Sequence, residues 1–186
     1  MFSQHHIDAV VHSENGSLWR CPRIYKHPET YQKHHTWTLL RRLVGLLSLP
    51  WLCFRDFNEI LKLNEKTGKN DRRVASINEF REAVHECDLK DLGYNGYSFT
   101  WSNRRFGPNL VEKRLDRFLC CKTWGSMFHE IATEHLETWT SDHSPVLMIV
   151  KERGRRKQYS KRTFSRVHYE DMWSPYEKFQ EIVFYE

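Results

Sequence analysis

Hydrophobic and polar positions alternate near the start of the chain in a pattern typical of a β-hairpin. Apolar residues alternate with more polar ones over residues 7–11, and the favoured turn pair Asn15-Gly16 follows. A return strand then runs over residues 18–25 and ends before Pro28. The sequence therefore predicts a hairpin as the first element.

Two segments have the three- and four-residue spacing of amphipathic helices. The first spans residues 29–47. The second follows the polar loop 64–73 and opens with Ser76 and Glu79, the spacing of a capping box. The apolar positions that define the two helix faces are Trp37, Leu40, Leu43 or Val44, and Leu47 in the first helix, and Ile77, Phe80, Val84 and Cys87 in the second.

Short apolar runs between and after these helices predict strands. Residues 51–54 follow Pro50 and suit a strand that is buried on both faces. Further elements are expected as strands at 96–101, 113–120, 131–138 and 146–150, a turn at 103–109 and a short helix at 124–128. Helices that alternate with buried strands predict a layered α/β domain, which ends near residue 151.

The charge of the chain is unevenly placed. The net charge is +5, yet residues 151–166 hold eight Lys and Arg against one Glu, a net of +7. Such a run is usually a solvated linker, and contact with nucleic acid or nuclear import is the alternative. The following residues, 167–186, are acidic and could form one more amphipathic helix.

The amino-acid composition is not that of a disordered or membrane-embedded protein. With 39% hydrophobic and 28% charged residues, the chain has the composition of neither a disordered nor a membrane-embedded protein. No apolar run approaches the roughly 20 residues that span a bilayer, and the first residues lack a signal-peptide pattern. The five cysteines are scattered and the eleven histidines lack zinc-site spacing. We therefore expect reduced thiols, no membrane association, and a nuclear or cytoplasmic location.

The segment WLCFRDFNEIL, residues 51–61, places polar groups at the end of a buried strand. Because successive side chains of a strand point to opposite faces, Asp56 and Asn58 are expected on one face and Phe57 on the packed face. A carboxylate beside an amide suits phosphoryl chemistry, since the acid can transfer a proton and the amide can donate to a phosphate oxygen. A polar turn after a core strand explains the same residues.

Two later segments bring further polar groups to strand ends. TSDHSP, residues 140–145, puts Asp142 and His143 in a loop before an apolar strand, where ligands are often bound. RLDRFL, residues 114–119, puts Asp116 beside large apolar side chains, which is costly unless the carboxylate has a partner. His143 is a natural partner for Asp116. The alternative is a surface strand with an Asp–Arg pair.

Six motifs occur in order along the chain: HHIDAVV, YKHPET, LPWLCFRDFNEIL, NGYSFTWSN, RLDRFL and TSDHSPV. Together they resemble the endonuclease/exonuclease/phosphatase superfamily of deoxyribonuclease-I-like nucleases. Within it they are most similar to the endonuclease domain of plant non-long-terminal-repeat retrotransposon polyproteins. The resemblance covers most of residues 1–150, and it implies a partial four-layer, two-sheet α/β sandwich of the deoxyribonuclease-I-like type.

The resemblance also implies Mg²⁺-dependent cleavage of phosphodiester bonds, with DNA as the partner and no obligate protein partner. The implied roles are proton transfer for Asp56, phosphate binding for Asn58, a magnesium ligand for Asp142, a phosphate-facing imidazole for His143, orientation of that imidazole for Asp116, and a phosphate-adjacent hydroxyl for Tyr25. After the basic linker 151–166, the motif YEDMW in 167–186 resembles the start of the connector that precedes the reverse transcriptase in these polyproteins.

Two departures from the family pattern bear on activity. The family begins with a strand that carries an asparagine and a strand that ends in a metal-holding glutamate, and we expect both to be missing from this chain. The family's glycine before Asp56 is Arg55 here, on the packed face by parity. We therefore expect a degenerate copy that cleaves weakly or not at all. The alternative is a nucleic-acid-binding remnant that uses the basic tail.

Overall fold

Strands and helices alternate along the chain in the computed structural model, which describes residues 2–3, 6–13, 15–24, 33–69 and 74–152. These residues belong to one compact unit, Met1–Gly154. The helices are α1 (Lys33–Leu46), α2 (Val74–Glu86) and α3 (Lys122–Met127), with 3₁₀ turns at Leu63–Glu65 and Gly107–Asn109. The strands are β1 (Phe2–Ser3), β2 (His6–His12), β3 (Leu18–Ile24), β4 (Leu52–Asp56), β5 (Lys66–Thr67), β6 (Leu89–Asp91), β7 (Asn95–Gly96), β8 (Trp101–Ser102), β9 (Glu112–Lys113), β10 (Asp116–Cys121), β11 (Phe128–His135) and β12 (Val146–Glu152).

The first layer combines two antiparallel three-stranded sheets, in the orders β1-β2-β3 and β4-β10-β6. They meet where Arg20 pairs with Trp51, and the Arg20 amide donates to the Pro50 carbonyl at 2.8 Å. Helices α1 and α2 cover one face of this layer. Trp37 of α1 stacks on Phe80 of α2 with ring centroids 4.5 Å apart, and both rings are buried. Both rings belong to the main cluster of buried hydrophobic residues, which also includes side chains of β4, β6, β10 and α3.

The remaining strands form two smaller sheets, in the orders β12-β11-β7 and β5-β9-β8. A bridge between Trp101 and His143 connects the second of these to the loop before β12. Along β12, Val146, Met148 and Val150 pack against the core, whereas Leu147 and Ile149 are exposed. The predicted strand at 146–150 is therefore confirmed, with alternate side chains on the core.

The predicted hairpin is confirmed by the pairing of β2 with β3, but its buried face is polar. Asp8 and Arg20 are buried there, with the Arg20 Nη2 atom 2.5 Å from Asp8 Oδ2. The same guanidinium donates to the carbonyls of Leu43 (2.9 Å) and Leu47 (3.1 Å). Because the last carbonyls of a helix lack partners within it, Arg20 closes the end of α1 as well as pairing with Asp8.

Both helices were predicted on the correct residues, with one error at an end. The predicted α2 face is buried at Ile77, Phe80, Val84 and Cys87, and in α1 it is Leu43 rather than Val44 that is buried. The capping box is wrong, because α2 begins at Val74 and Ser76 lies inside it. The Ser76 hydroxyl instead donates to the buried Glu59, at 2.5 Å. The start of the first predicted helix, residues 29–32, lies outside the described residues.

The predicted strands differ from the structure mainly at their bounds. β4 is not buried on both faces, because Phe54 is 39% exposed. The predicted strand 96–101 is two short strands, β7 and β8, and the predicted strand 131–138 is β11, three residues earlier. Lys151 and Glu152 continue β12, so they are not part of a linker. Of the predicted linker and final helix, residues 153–186 lie outside the described part of the chain.

Two buried arginines and two partly buried carboxylates form a cluster at the start of β10. Arg114 and Arg117 both donate to Glu65 and to Asp91, with N–O distances from 2.6 to 3.2 Å. Burial alone would raise the pKa of Glu65 and of Asp91, but the hydrogen bonds and charge of the arginines outweigh it and lower both pKa values. This paired cluster, Glu65–Asp91–Arg114–Arg117, holds the start of β10 against β6 and the 3₁₀ turn at Leu63–Glu65.

All five cysteines are free thiols, and four of them are buried. Burial raises the pKa of Cys87 and of Cys120 to about 11. These thiols are therefore poor nucleophiles near neutral pH. Among the described residues, no helix is both long and apolar enough to cross a membrane.

Candidate active site

Asp56 and Asp116 lie opposite each other at the ends of neighbouring strands. β4 and β10 pair antiparallel with Asp56 in register with Asp116, so both carboxylates lie on the same face and at the same edge of the layer. The pairing continues one step further, since the Phe57 amide donates to the Leu115 carbonyl at 3.0 Å. Phe57 is buried, as predicted.

The chain turns sharply immediately after Asp56. Asn58 has a φ of +53°, a left-handed conformation that asparagine tolerates better than most residues. The Asp56 carboxylate holds this turn: Oδ1 accepts from the Asn58 amide and Oδ2 from the Asn58 side-chain Nδ2, both at 2.7 Å. The two residues therefore do lie together, although through a turn and not through strand parity. In this conformation the Asn58 side-chain amide donates to Asp56.

Asp116 and His143 form the predicted pair. His143 Nδ1 lies 2.8 Å from Asp116 Oδ2, and both side chains are partly exposed. The hydrogen bond to Asp116 raises the pKa of His143 against the opposing effect of burial, and the charges of Asp116, Asp56 and Asp142 act in the same direction. The arrangement therefore stabilises an imidazolium whose Nδ1 is held by Asp116.

Thr100 holds both members of this pair in place, and sequence reasoning did not single it out. Its side chain is fully buried, and its Oγ1 accepts from the amides of Leu115 and Asp116, both at 2.9 Å. Its carbonyl accepts from the Ser144 amide at 2.8 Å, next to His143. The only sequence signal was its position in the motif FTWSN, where a buried hydroxyl cannot be told from a solvated one.

The residues after Thr100 fix Asp142 in the same way. The Trp101 indole Nε1 donates to Asp142 Oδ2 at 3.0 Å, and the Ser102 amide donates to the Asp142 carbonyl at 3.0 Å. The Lys113 ammonium lies 4.8 Å from the centroid of the Trp101 ring. Segment 100–102 is therefore the support on which the Asp142-His143 loop rests.

Arg55 takes the position predicted for it. It is partly buried, with its guanidinium carbon 5.7 Å from the centroid of the Phe57 ring. Its Nε donates to the Asp56 carbonyl at 2.8 Å, but Nη1 is buried and makes no hydrogen bond to any described residue. Burial lowers the pKa of Arg55. A cation with an unsatisfied donor is thus partly buried at the residue before Asp56, at a cost in free energy.

A cleft of about 370 Å³ opens beside Asp56 and Asp116. Its apolar floor is formed by Phe54 and Phe118, whose ring centroids are 5.1 Å apart. The other lining residues are Arg23, Ile24, Arg55, Arg117, Ser144, Pro145 and Val146. The paired carboxylates are therefore accessible from a concave surface, as a substrate-binding edge requires.

The described residues do not form a metal site by themselves. Magnesium takes six oxygen ligands, some of them water or substrate phosphate. In the described part of the chain, no group of three or more His, Cys, Asp or Glu side chains lies close enough together to hold a metal ion. One Asp142 oxygen already accepts from Trp101. The assignment of Asp142 as a magnesium ligand stays a prediction.

The structure thus brings together five of the six predicted site residues at one edge. Asp56, Asn58, Asp116 and His143 are connected by the strand pairing and hydrogen bonds given above, and Asp142 precedes His143 in its loop. Tyr25 lies outside the described residues. The geometry is that of a carboxylate-oriented imidazole facing a second carboxylate across a strand pair.

Solved structures with the same arrangement of layers are nucleases. The endonuclease domain of TRAS1, a telomere-specific non-LTR retrotransposon, superimposes with a TM-score of 0.56 over 82% of this chain and 65% of that chain, at 16% identity. The chain has the deoxyribonuclease-I-like fold. The 3′-5′ exonuclease NExo from Neisseria meningitidis gives 0.55 at 16% identity, over 79% and 65% of the two chains. AP endonuclease LMAP from Leishmania major gives 0.54 at 14% identity, over 81% and 55%.

At these identities the likeness establishes the fold and not the activity. The chain spans 65% or less of the length of these three structures. No protein-family model matches the chain, and no curated protein sequence matches it. The function of the deoxyribonuclease-I-like unit has to be argued from its own residues.

Proposed function

We propose that this chain is a nuclease-fold domain that hydrolyses phosphodiester bonds in DNA at the Asp56–Asp116–His143 edge, and that it does so slowly. The observation that carries the proposal is the 2.8 Å contact between His143 Nδ1 and Asp116 Oδ2, set opposite Asp56 across the β4–β10 pair. The motif resemblance and the likeness in fold to the TRAS1 endonuclease domain support a retrotransposon origin, related to plant LINE-type polyproteins.

The pair has a chemical use at a phosphate. With Nδ1 held by Asp116, the Nε2 atom of His143 is the ring position left to donate to a phosphate oxygen. The raised pKa of His143 keeps more of the imidazole protonated near neutral pH, which favours binding of an anion. A proton held on Nε2 stabilises the charge that develops on the phosphate oxygens during attack.

Asp56 is the candidate for proton transfer. Its carboxylate lies at the same edge as Asp116 and borders the cleft, within the space where a phosphate would meet His143. A carboxylate in that place can take a proton from attacking water or return one to the leaving oxygen. The reaction would break one P–O ester bond and leave a phosphomonoester and a free hydroxyl.

Two features of the same edge support a slow reaction. Both Asp56 oxygens accept hydrogen bonds from Asn58, so neither the carboxylate nor the amide is fully available to substrate. Arg55, where the resemblance expects glycine, puts a partly buried guanidinium with an unsatisfied donor at the residue before Asp56, and its cost in free energy opposes a well-formed catalytic edge. The magnesium ion that the resemblance implies would add charge stabilisation at the phosphate when bound, with Asp142 as the proposed ligand.

A second candidate function is binding of DNA without cleavage. The charge of +7 over residues 151–166 favours it, because clustered lysines and arginines bind phosphates without regard to sequence. Such binding would be lost at high salt, whereas hydrolysis would depend on Asp56 and His143. The two functions are therefore separable by variants.

Nicking of supercoiled plasmid DNA by the purified 186-residue chain in Mg²⁺ tests the proposal. We expect slow nicking that falls by about 10²- to 10⁴-fold in His143→Ala, the range for loss of a positioned acid–base group. His129→Ala, which removes an exposed histidine from β11, is the matched control and should leave the rate unchanged. Nicking that is unaffected by His143→Ala would refute the site, and rapid nicking would refute the slow reaction.

A further inference from the structure

Two aromatic side chains are exposed on the described surface to an unusual extent. The rings of Phe106 and Trp139 are 93% and 84% exposed, whereas Trp37, Trp124 and Phe80 are fully buried. Burial of an aromatic ring is strongly favourable, so exposing two of them does not contribute to the stability of the fold. Their surfaces are available to a partner.

Arg104 connects the two loops that carry these rings. Its guanidinium donates to the carbonyl of Trp139 at 2.6 Å and to the carbonyl of Thr140 at 2.9 Å. Arg104 is two residues before Phe106, and Trp139 is three residues before Asp142. The two exposed rings therefore flank the loop that carries Asp142 and His143.

The loop that presents Phe106 has an ordered backbone. The Asn103 Oδ1 atom accepts from the amides of Arg105 (3.2 Å) and Val111 (3.0 Å), and its Nδ2 donates to the Asn109 carbonyl at 2.9 Å. The 3₁₀ turn Gly107–Asn109 closes the loop. Because this backbone is fixed, only the side-chain torsions of Phe106 would have to be ordered on binding a ligand.

The charges around the rings suit a nucleic acid strand. Arg104 and Arg105 are exposed immediately before Phe106. The loop that carries Trp139 holds two acidic residues, Glu137 and Asp142, and the Asp142 carboxylate already accepts from the Trp101 indole. Aromatic rings next to arginines stack on nucleobases while the cations meet the phosphates between them. In an intact duplex the faces of the bases are covered by their neighbours, so only unpaired bases can be stacked in this way.

We propose that Phe106 and Trp139 form a stacking platform for unpaired bases, beside the Asp116–His143 pair. The proposal rests on the proposed function and names its substrate class: single-stranded DNA, or a duplex interrupted by unpaired bases. Phe106 and Trp139 set which DNA is held, and they take no part in the hydrolysis.

Fluorescence anisotropy of the full 186-residue chain with labelled DNA tests the platform. Three ligands are compared: a single strand, the same strand in a perfect duplex, and that duplex with a bulge. The buffer contains EDTA, so that nothing is cleaved, and enough salt to suppress non-specific phosphate contacts. We expect Trp139→Ala to weaken binding of the single strand and the bulge by roughly 5- to 100-fold, the range for loss of one base stack, and duplex binding by less than about twofold.

Matched variants distinguish stacking from a general loss. Trp139→Phe should retain most of the affinity, Phe106→Ala should behave like Trp139→Ala, and Leu63→Ala, which removes another exposed apolar side chain, should change nothing. Equal weakening on all three DNAs, or no weakening, would overturn the platform. Because binding is measured without cleavage, a chain that shows this preference but does not nick plasmid would refute the proposed function and leave the platform standing.

Discussion

Replacing Thr100 with valine should destabilise the chain and loosen the Asp116–His143 pair. Valine keeps the shape of the side chain but removes Oγ1, which accepts from the buried amide of Leu115 and from the amide of Asp116 at 2.9 Å each. An amide left unsatisfied in a buried position costs about 1–3 kcal/mol, and the added methyl group returns about 0.8 kcal/mol. Two amides lose their acceptor, so we expect Thr100→Val to lower the free energy of unfolding by about 1–5 kcal/mol.

Urea denaturation followed by circular dichroism measures this loss, and the chain contains its own control. Thr133 is also buried, but its Oγ1 makes no hydrogen bond to any described residue. Thr133→Val should therefore change stability by less than about 0.5 kcal/mol, or increase it. Thr100→Ser, which keeps the acceptor, should recover most of the loss. The reasoning is refuted if Thr100→Val costs no more than Thr133→Val, or if Thr100→Ser costs as much as Thr100→Val.

Three further predictions concern charge. The pKa of His143 is raised above its ordinary value of 6.5, so its contribution to stability is fully present below pH 6.5 and is lost as the pH rises through the folded-state pKa. The unfolding free energies of wild type and His143→Gln, measured in urea, should therefore differ most at about pH 6 and become equal at alkaline pH. A difference that does not change with pH would contradict the pairing with Asp116. Arg55→Gly restores the residue that the resemblance expects before Asp56 and removes a partly buried guanidinium with an unsatisfied donor, so it should raise the plasmid-nicking rate. Lys90→Gly, which also places glycine in a strand, should not raise it, and a lower rate in Arg55→Gly would show that the guanidinium assists the reaction. Deleting residues 153–166 should remove most of the salt-sensitive binding to duplex DNA measured by anisotropy, and binding that survives unchanged would locate it on the folded unit.

The elements of the fold were predictable where one periodicity dominates. The helical spacing of Trp37, Leu40 and Leu43 is read correctly because a buried stripe needs that spacing. The start of α2 was not predicted correctly. Ser76 donates to Glu59, seventeen residues away, and a capping motif considers only neighbouring residues. The buried polar residues of the hairpin could not be predicted for the same reason, since Asp8 is buried as the ion-pair partner of Arg20 on the neighbouring strand.

In the candidate site, too, the residues with a local sequence signal were predictable and those that depend on distant partners were not. Asp116 and His143 could be paired from sequence because a carboxylate among apolar residues needs a partner and a histidine lay in a neighbouring loop. Thr100, which supports the pair, could not be predicted, because its role depends on hydrogen bonds from two amides that are fifteen and sixteen residues away in sequence. The exposure of Trp139 could not be predicted from the sequence either, since an aromatic residue near strands is ordinarily assigned to a core.

The buried cluster of Glu65, Asp91, Arg114 and Arg117 has a consequence for the lifetime of the folded chain. Its members come from three segments that are distant in sequence, and each arginine lacks its carboxylates until all three segments are in place. We expect these contacts to form after the local ones, because their loops must close first, and interactions absent from the transition state slow unfolding without speeding folding. The cluster therefore protects the start of β10, where Asp116 lies between the two arginines in sequence, by a kinetic barrier to opening.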